Sequence, residues 1–598
     1  MSQYTYQPLA YDDSIRILIL EPGERQEPIR CRLVPMRLSE KPEYNALSYV
    51  WGTDEPSHEI FIDGQKVMIR TNLYYALRRF QNSPRRNTFQ KAFTRNLQRR
   101  LWADALCINQ ADILERNQQV QSMKLVFAQA RSVLIWLRES VESDRLAFDV
   151  FKTAEGIIGS RVRITKDEVK RVGMVVSSHR FQLNTWAAVR SVLRCTWFKR
   201  IWVLQELVVA ANPLVNCGQY ETTWAALAVT AGAVIRGLIK APEGGVLGLN
   251  RRIINLDTVC ARLDNTQVTR SYHFKNEPPT LCKLLRTTIK LTSSESIDKI
   301  YALRGLLNEE EASGLKVDYA LEASEVFELA TRDVLSRGTD PFELLALVSA
   351  FPSAPISVSS PSWVPNYSGL TTAHIRYFPL SNTYRASGQA RSQISFTGLN
   401  QKILCLGGHI VDKVSHCLSL KRFRFGRLPV ELSAPWYQKC QQYVLQTDCY
   451  PTREDMSSCW WRLLVCDLFD NTKGKMRAAE GFKTHYLDQK LSDFITNATR
   501  SEGDDTVRDA QDTYRHTVSR TSSGASLCRT ANGYLAWITP HVHSGDYICI
   551  FAGAACPFVV RERPEGDHTL IGSAYVHGMM DGEALNFEGF KWDEIRIH

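Results

Sequence analysis

Apolar positions near the N-terminus cluster in three short runs, and these set the expected fold. Residues 46–51 lie within YNALSYVWG, residues 101–106 open LWADALCINQ, and residues 132–137 read SVLIWL. Apolar runs of this length, without alternation, suit strands buried on both faces of a sheet. Between the second and third runs, ERNQQVQSMKLVFAQA places Val120, Met123, Phe127 and Ala130 on one helical face. Asp112 and Glu115 have capping-box spacing at its start. Strand, helix and strand in alternation predict a parallel α/β sheet, with residues 44–51, 101–106 and 132–137 as neighbouring parallel strands.

The rest of the pattern fills in around this sheet. Residues 15–20 read as a short strand, residues 31–38 as a second apolar segment, and residues 60–70 as a hairpin turning at Asp63-Gly64. Asn72 is expected to cap a short helix. Residues 139–190 are amphipathic and helical in pattern, and WFKRIWVLQELVVAA, residues 197–211, reads as one apolar helix. From 212 to about 345 the pattern is again helical. Residues 351–365 are rich in Pro and Ser, as a linker would be. Strands are expected at 392–413, helices at 436–498 and a polar segment at 501–526. The last part, with GYLAWI, GDYICIFAG, PFVVRE and TLIGSAYVHG, returns to strands. The expected class is therefore α/β: an N-terminal parallel sheet flanked by helices (1–211, core 44–211), a helical extension (212–350), the linker (351–365) and a strand-rich α+β region (366–598).

A chain of 598 residues is too long for one core. Lys and Arg exceed Asp and Glu by ten, 73 against 63, a mild excess over this length. The basic run at 81–100 has no aromatic ladder and reads as a solvated loop, so no nucleic-acid partner is expected. The fifteen cysteines are scattered, without a CxxC pair, as reduced thiols of the cytosol or nucleus would be. His541 and His543 would share a strand face, and Cys405 lies near His409, but neither pair has a third ligand, so no metal site is expected. The N-terminus shows neither a signal peptide nor a myristoylation pattern, and the longest near-apolar run, 224–235, is too short to span a bilayer. A cytoplasmic protein without a membrane span is the expectation.

Two carboxylates stand out. Glu206 sits among Trp202, Val203, Val209 and Ala210, its neighbours three and four residues away on a helix. A carboxylate there is either paired with a buried cation or part of a polar site. Asp104, inside the second apolar run, is either a turn or cap residue or a second site carboxylate.

YNALSYVWG, LWADALCINQ followed by ERNQQV, and WFKRIWVLQE together resemble, in order and spacing, the three signature blocks of the fungal heterokaryon incompatibility (HET) domain. DKIYALRGL, PSWVPNYS, GDYICIFAG and YVHGMMDGE are similar to segments that accompany this domain. The resemblance implies control of cell death after fusion of unlike hyphae, with a protein partner or self-association. It also implies a distant relation to TIR domains. WVLQEL, residues 202–207, resembles the TIR pattern W-C-x-x-E-L, whose Glu cleaves nicotinamide from NAD, and LSY at 47–49 resembles the first TIR strand. Carried over, this makes Glu206 the catalytic carboxylate. Ser48, Tyr49, Trp51, Gly52, Asp104 and Trp202 would line the substrate site, with NAD as substrate and no cofactor. The competing expectation is a scaffold that signals by self-association and partner binding, in which Glu206 is only a buried ion-pair partner.

Overall fold

The computed structural model describes residues 4–24, 26–81, 99–159, 164–177, 183–236, 257–338, 341–350, 360–368, 383–418, 434–446, 449–471, 474–477, 518, 521–522 and 525–598. They belong to two compact units, Met1–Glu322 and Ala323–His598. Most of the basic run at 81–100, of the 351–365 linker and of the polar segment 501–526 lies outside the described residues. Among the described residues no helix is long and apolar enough to cross a membrane.

The first unit is built on a nine-stranded sheet. In chain order its strands are β1 (Ser14–Leu20), β2 (Ile29–Arg37), β3 (Asn45–Tyr49), β4 (His58–Ile62), β5 (Gln65–Ile69), β6 (Arg100–Trp102), β7 (Val133–Trp136), β8 (Pro213–Cys217) and β9 (Tyr220–Thr223). Their order across the sheet is β5-β4-β2-β1-β6-β3-β7-β8-β9. The three apolar runs are neighbours at its centre: β3 is parallel to β6 and to β7, and β7 to β8. Every residue of β3 and β7 is buried, which is why neither run alternates.

The sheet is mixed rather than wholly parallel. β1 runs antiparallel to β2 and β6, and β4–β5 and β8–β9 are antiparallel hairpins. The first hairpin turns at Asp63 and Gly64, at φ of 49° and 80°, the type I′ geometry that Asp-Gly favours. The second falls in a stretch whose pattern reads as helix; its edge strand, YETT, has no apolar alternation to reveal it. The run 101–106 is also shorter than expected as a strand. β6 ends at Trp102 and the chain passes into a helical turn, Asp104–Cys107.

The helix Ile113–Gln129 starts as expected, with the Asp112 carboxylate accepting from the Leu114 and Glu115 N–H groups at 3.0 and 3.1 Å. Glu115 does not complete a capping box. It is buried, and its two oxygens take the Arg16 guanidinium of β1 at 2.6 and 2.9 Å. Met123, Val126 and Phe127 carry the apolar face into the core. Helices Asp144–Ile158, Lys166–Ser177 and Leu183–Leu193 occupy the amphipathic region. Asn72 is no cap. It lies inside helix Thr71–Gln81 and joins the Val50 carbonyl, at 2.8 Å, to the Trp136 indole, at 3.0 Å.

Residues 197–211 do not form one helix. A 3-10 turn, Thr196–Lys199, gives way to extended backbone at Arg200 (φ −74°, ψ 138°), and a short helix, Trp202–Val208, follows. The break is held by the neighbouring chain, since the Ile201 N–H donates to the Thr292 carbonyl and the Thr292 N–H to that of Lys199, at 2.9 and 2.6 Å.

The second unit holds β10 (Ile394–Thr397), β11 (Ile403–Leu418), β12 (Leu468–Asn471), β13 (Gly474–Arg477), β14 (Ser526–Thr530), β15 (Leu535–Ile538), β16 (Tyr547–Phe551), β17 (Phe558–Glu562), β18 (His568–Ser573), β19 (Tyr575–Val576) and β20 (Asp593–Ile597). The path β16-β17-β18-β20-β11 closes on itself, because β11 also pairs with β16. This makes a small closed barrel, and the far end of β11 leaves it to pair with β14. His541 and His543 do not share a strand face. They sit in the loop between β15 and β16, where Pro540 has no N–H for a ladder and Gly545 turns the chain at φ 102°.

Candidate functional site

Four side chains meet at the C-terminal end of β3, where parallel sheets present their ligand sites. Ser48, 1% exposed, donates its hydroxyl to Oε2 of Glu206, itself 3% exposed. The indole Nε1 of Trp197 donates to Ser48 Oγ at 2.8 Å. An indole can only donate, so the single hydroxyl proton of Ser48 is left for Glu206, and the chain Trp197–Ser48–Glu206 is polarised toward a carboxylate. The fourth member is Arg200. Its Nη1 bonds the Tyr49 carbonyl and lies 4.0 Å from Glu206 Oε1. Burial pushes the Glu206 carboxyl up to about 7; Arg200 and Ser48 pull the other way, and Asp104 adds to the rise.

The short helix carrying Glu206 is fixed at both sides. Its residue Gln205 accepts from the Gly305 N–H at 3.2 Å. The buried Arg270 guanidinium caps its end, bonding the carbonyls of Leu207 and Val208. Cations at a helix C-terminus satisfy its free carbonyls and complement its dipole.

Asp104 begins the helical turn after β6. Its Oδ2 accepts from the Trp51 indole at 2.9 Å and its Oδ1 from the Ala105 N–H at 2.8 Å. Burial raises its carboxyl above the usual range, opposed first by Arg200. Arg200 thus faces both carboxylates. Tyr49 and Trp51 line a cavity of about 740 Å³, with Tyr4, Tyr6, Lys66 and Arg70 among its other walls. Successive side chains of a strand point to opposite faces. Tyr49 therefore faces the cavity and Ser48 faces Glu206.

Of the residues singled out in the sequence, Ser48 and Glu206 touch directly, while Tyr49, Trp51 and Asp104 form an adjoining group on the cavity side. Gly52 is not in the cavity wall. It turns the chain at φ 82°, where a Cβ would run into Asp54 Oδ1, and the other Asp54 oxygen takes the Thr71 N–H at 3.0 Å. Gly52→Ala is expected to cost about 1–2 kcal/mol of stability, from left-handed backbone strain and the displaced Asp54. Denaturant unfolding checks this, and an unchanged midpoint would refute it. Trp202 is drawn away from Glu206. Its side chain hydrogen-bonds Asp298, whose carboxyl burial pushes up to about 6 against the bonds from Trp202 and Tyr319. Trp197 and Arg200 belong to the site without having been marked. Both stood in the stretch that holds Glu206, and the expected continuous helix would have turned them elsewhere.

Among the described residues, Glu454, Cys459 and His577 bring three ligand-type atoms within 4.8 Å of one another. These groups are already engaged. Glu454 takes His577 Nε2 at 2.7 Å on one oxygen and Arg462 at 3.0 Å on the other, and His577 Nδ1 meets the Tyr575 hydroxyl at 3.0 Å. Burial would raise the Glu454 carboxyl, but these partners hold it down to about 2. The arrangement is that of an ion-pair network.

The family model for the Heterokaryon incompatibility protein (HET) family matches residues 44–206, from the start of the β3 segment to Glu206 itself. That for the Het-6 beta-barrel domain matches residues 503–589, which include β14 to β19. Heterokaryon incompatibility protein 6, OR allele, of Neurospora crassa is 23% identical over 661 aligned positions, spanning 97% of this chain and 96% of the relative. No solved structure matches the chain. The three signature blocks are assembled around one strand: residues 44–206 form a heterokaryon incompatibility (HET) domain, in a chain similar over nearly its whole length to a fungal heterokaryon incompatibility protein.

Proposed function

We propose that this protein triggers programmed cell death on non-self recognition in the cytoplasm, and that its HET domain does so as a TIR-like NAD hydrolase with Glu206 as catalytic carboxylate. The observation that carries this reading is a buried carboxylate, poised by Ser48 and Arg200, at the C-terminal end of the central parallel strand. NAD is the substrate and leaves as products. The bond from the ribose C1′ to the nicotinamide nitrogen breaks with its electron pair going to that nitrogen, so nicotinamide departs neutral and needs no general acid. The oxocarbenium-like ribose left behind is stabilised by the Glu206 carboxylate, and water adds to C1′ with release of a proton. The adjoining cavity, with aromatic walls and the cations Lys66 and Arg70, suits an anionic ligand with flat rings.

The pH dependence follows from the sign of the Glu206 shift. Only the ionised form can stabilise a cation, and its carboxyl is raised to about 7. Nicotinamide release from NAD by the purified protein is therefore expected to be flat in alkaline buffer. It should fall about tenfold per pH unit once the pH drops below about 7. A rate that is unchanged down to the ordinary carboxylate range would refute this role.

A second reading is favoured by the enclosure of Glu206, 3% exposed with Arg200 beside it. In it the domain is a scaffold that acts by self-association or through a protein partner. Killing on expression with cellular NAD unchanged would select the scaffold.

A further inference from the structure

The chain holds fifteen cysteines, and two of them face each other across a strand pair of the second unit. Cys417, near the end of β11, is the register partner of Cys528 on antiparallel β14. Their sulfurs are 3.0 Å apart although 111 residues separate them in sequence. Antiparallel register partners have Cα atoms about 4.5–5.5 Å apart. That range lies inside the roughly 4.4–6.8 Å that a disulfide spans. Closing the bond asks the sulfurs to approach by about 1 Å and leaves the ladder as it is.

We propose that Cys417 and Cys528 form an oxidisable dithiol, a modification site at which hydrogen peroxide converts the pair to a cross-strand disulfide. The step balances. The Cys417 thiolate attacks the peroxide oxygen, the O–O bond breaks, and a sulfenic acid and water result. The Cys528 sulfur then attacks that sulfenic sulfur and expels a second water, so two thiols and one peroxide give one disulfide and two waters.

The surroundings assign the roles. Cys417 is partly exposed and Cys528 is buried, so the oxidant reaches Cys417 first and Cys528 resolves. The Cys528 thiol donates to Cys417 and draws its titration down. Burial pushes the thiols of Cys31, Cys107, Cys217, Cys549 and Cys556 up instead. Burial and the Asp546 carboxylate act the other way on Cys417, and the Cys528 hydrogen bond outweighs them. Low titration and access are what make a thiol reactive.

The test uses the folded full-length protein and hydrogen peroxide at about equimolar dose. After quenching, the chain is unfolded, alkylated and weighed, and its peptides are mapped. The expected result is a loss of two of the fifteen alkylatable thiols, one peptide pair joined through Cys417 and Cys528, and full recovery with a dithiol reductant. In Cys528→Ser the same dose should leave a sulfenic acid on Cys417 that a dimedone probe traps, with no intramolecular link. Because wild-type mapping stands by itself, a variant that fails to fold does not rescue the idea. Oxidation that falls first on the exposed Cys449 with Cys417 and Cys528 still alkylatable would overturn it. So would over-oxidation of Cys417 without a link to Cys528.

Discussion

Glu206→Gln is expected to lower nicotinamide release from NAD by on the order of a hundredfold or more, the usual cost of removing one preorganised electrostatic group. The substitution keeps the shape, and the amide oxygen can still accept from Ser48. It should also fold. The Glu206 carboxyl is raised to about 7, so the ionised form is the one the fold tolerates least. A raised acid contributes stability that is fully present below its unfolded value and is lost as pH climbs through the folded one. The neutral amide does not follow that decline, so the variant should gain on the wild type as pH rises through about 7. Thermal unfolding at two pH values separates this from loss of fold. In cells, the wild type should deplete NAD and kill, and the variant at equal abundance should do neither. A folded variant that still hydrolyses NAD would leave Glu206 a structural residue.

Arg16→Met is expected to cost about 3–5 kcal/mol of stability. Arg16 is 3% exposed and binds Glu115 through both its terminal nitrogens, and it also holds the Cys107 carbonyl at 3.1 Å. Its loss leaves Glu115 a buried charge between β1 and helix Ile113–Gln129, with the Asn109 N–H, at 2.7 Å, its remaining bond among the described residues. Removing both charges is a different matter, because well-packed apolar replacements of a buried pair are often neutral. Arg16→Met with Glu115→Leu should therefore recover most of the loss in denaturant unfolding. A single variant within about 1 kcal/mol of wild type would show that the pair is dispensable.

Local chemistry and the adjacency of the apolar strands were legible in the sequence, and side-chain partners far along the chain were not. The strands at residues 45–49 and 133–136 stand out because burial on both faces removes polar positions. Asp112 caps its helix, and Asp63-Gly64 turns its hairpin, through interactions spanning a few residues. Glu115 shows the limit. Its spacing from Asp112 suggests a capping partner, but its true partner lies 99 residues away on β1. Glu206 was conspicuous for lack of polar neighbours at helical spacing. Its cation, Arg200, was hidden by that same spacing, since six residues along a continuous helix would separate them by about 9 Å. The kink at Arg200 brings them together, and it is pinned by Thr292, which no local pattern announces. HVH at 541–543 shows the opposite error, an alternation that Pro540 and Gly545 prevent from pairing as a strand.

The enclosure of Glu206 bears on control. With Glu206 3% and Ser48 1% exposed, the closed fold covers the carboxylate. An NAD-consuming domain in this state turns over only through its minor open fraction, which sets the basal rate of the purified or overexpressed protein, and raising that rate means shifting a population. Each 1.4 kcal/mol by which the closed form is favoured leaves about tenfold fewer molecules open. An inducer that carries the chain from about one per cent open to about ninety-nine must bind the open form with roughly 5.5 kcal/mol of preference. Weaker preference would leave the death response graded, and equal affinity for both forms would leave it silent however tightly the inducer bound. The threshold of the response would then be set by the free energy that holds Arg200 and Ser48 against Glu206, before any substrate is met.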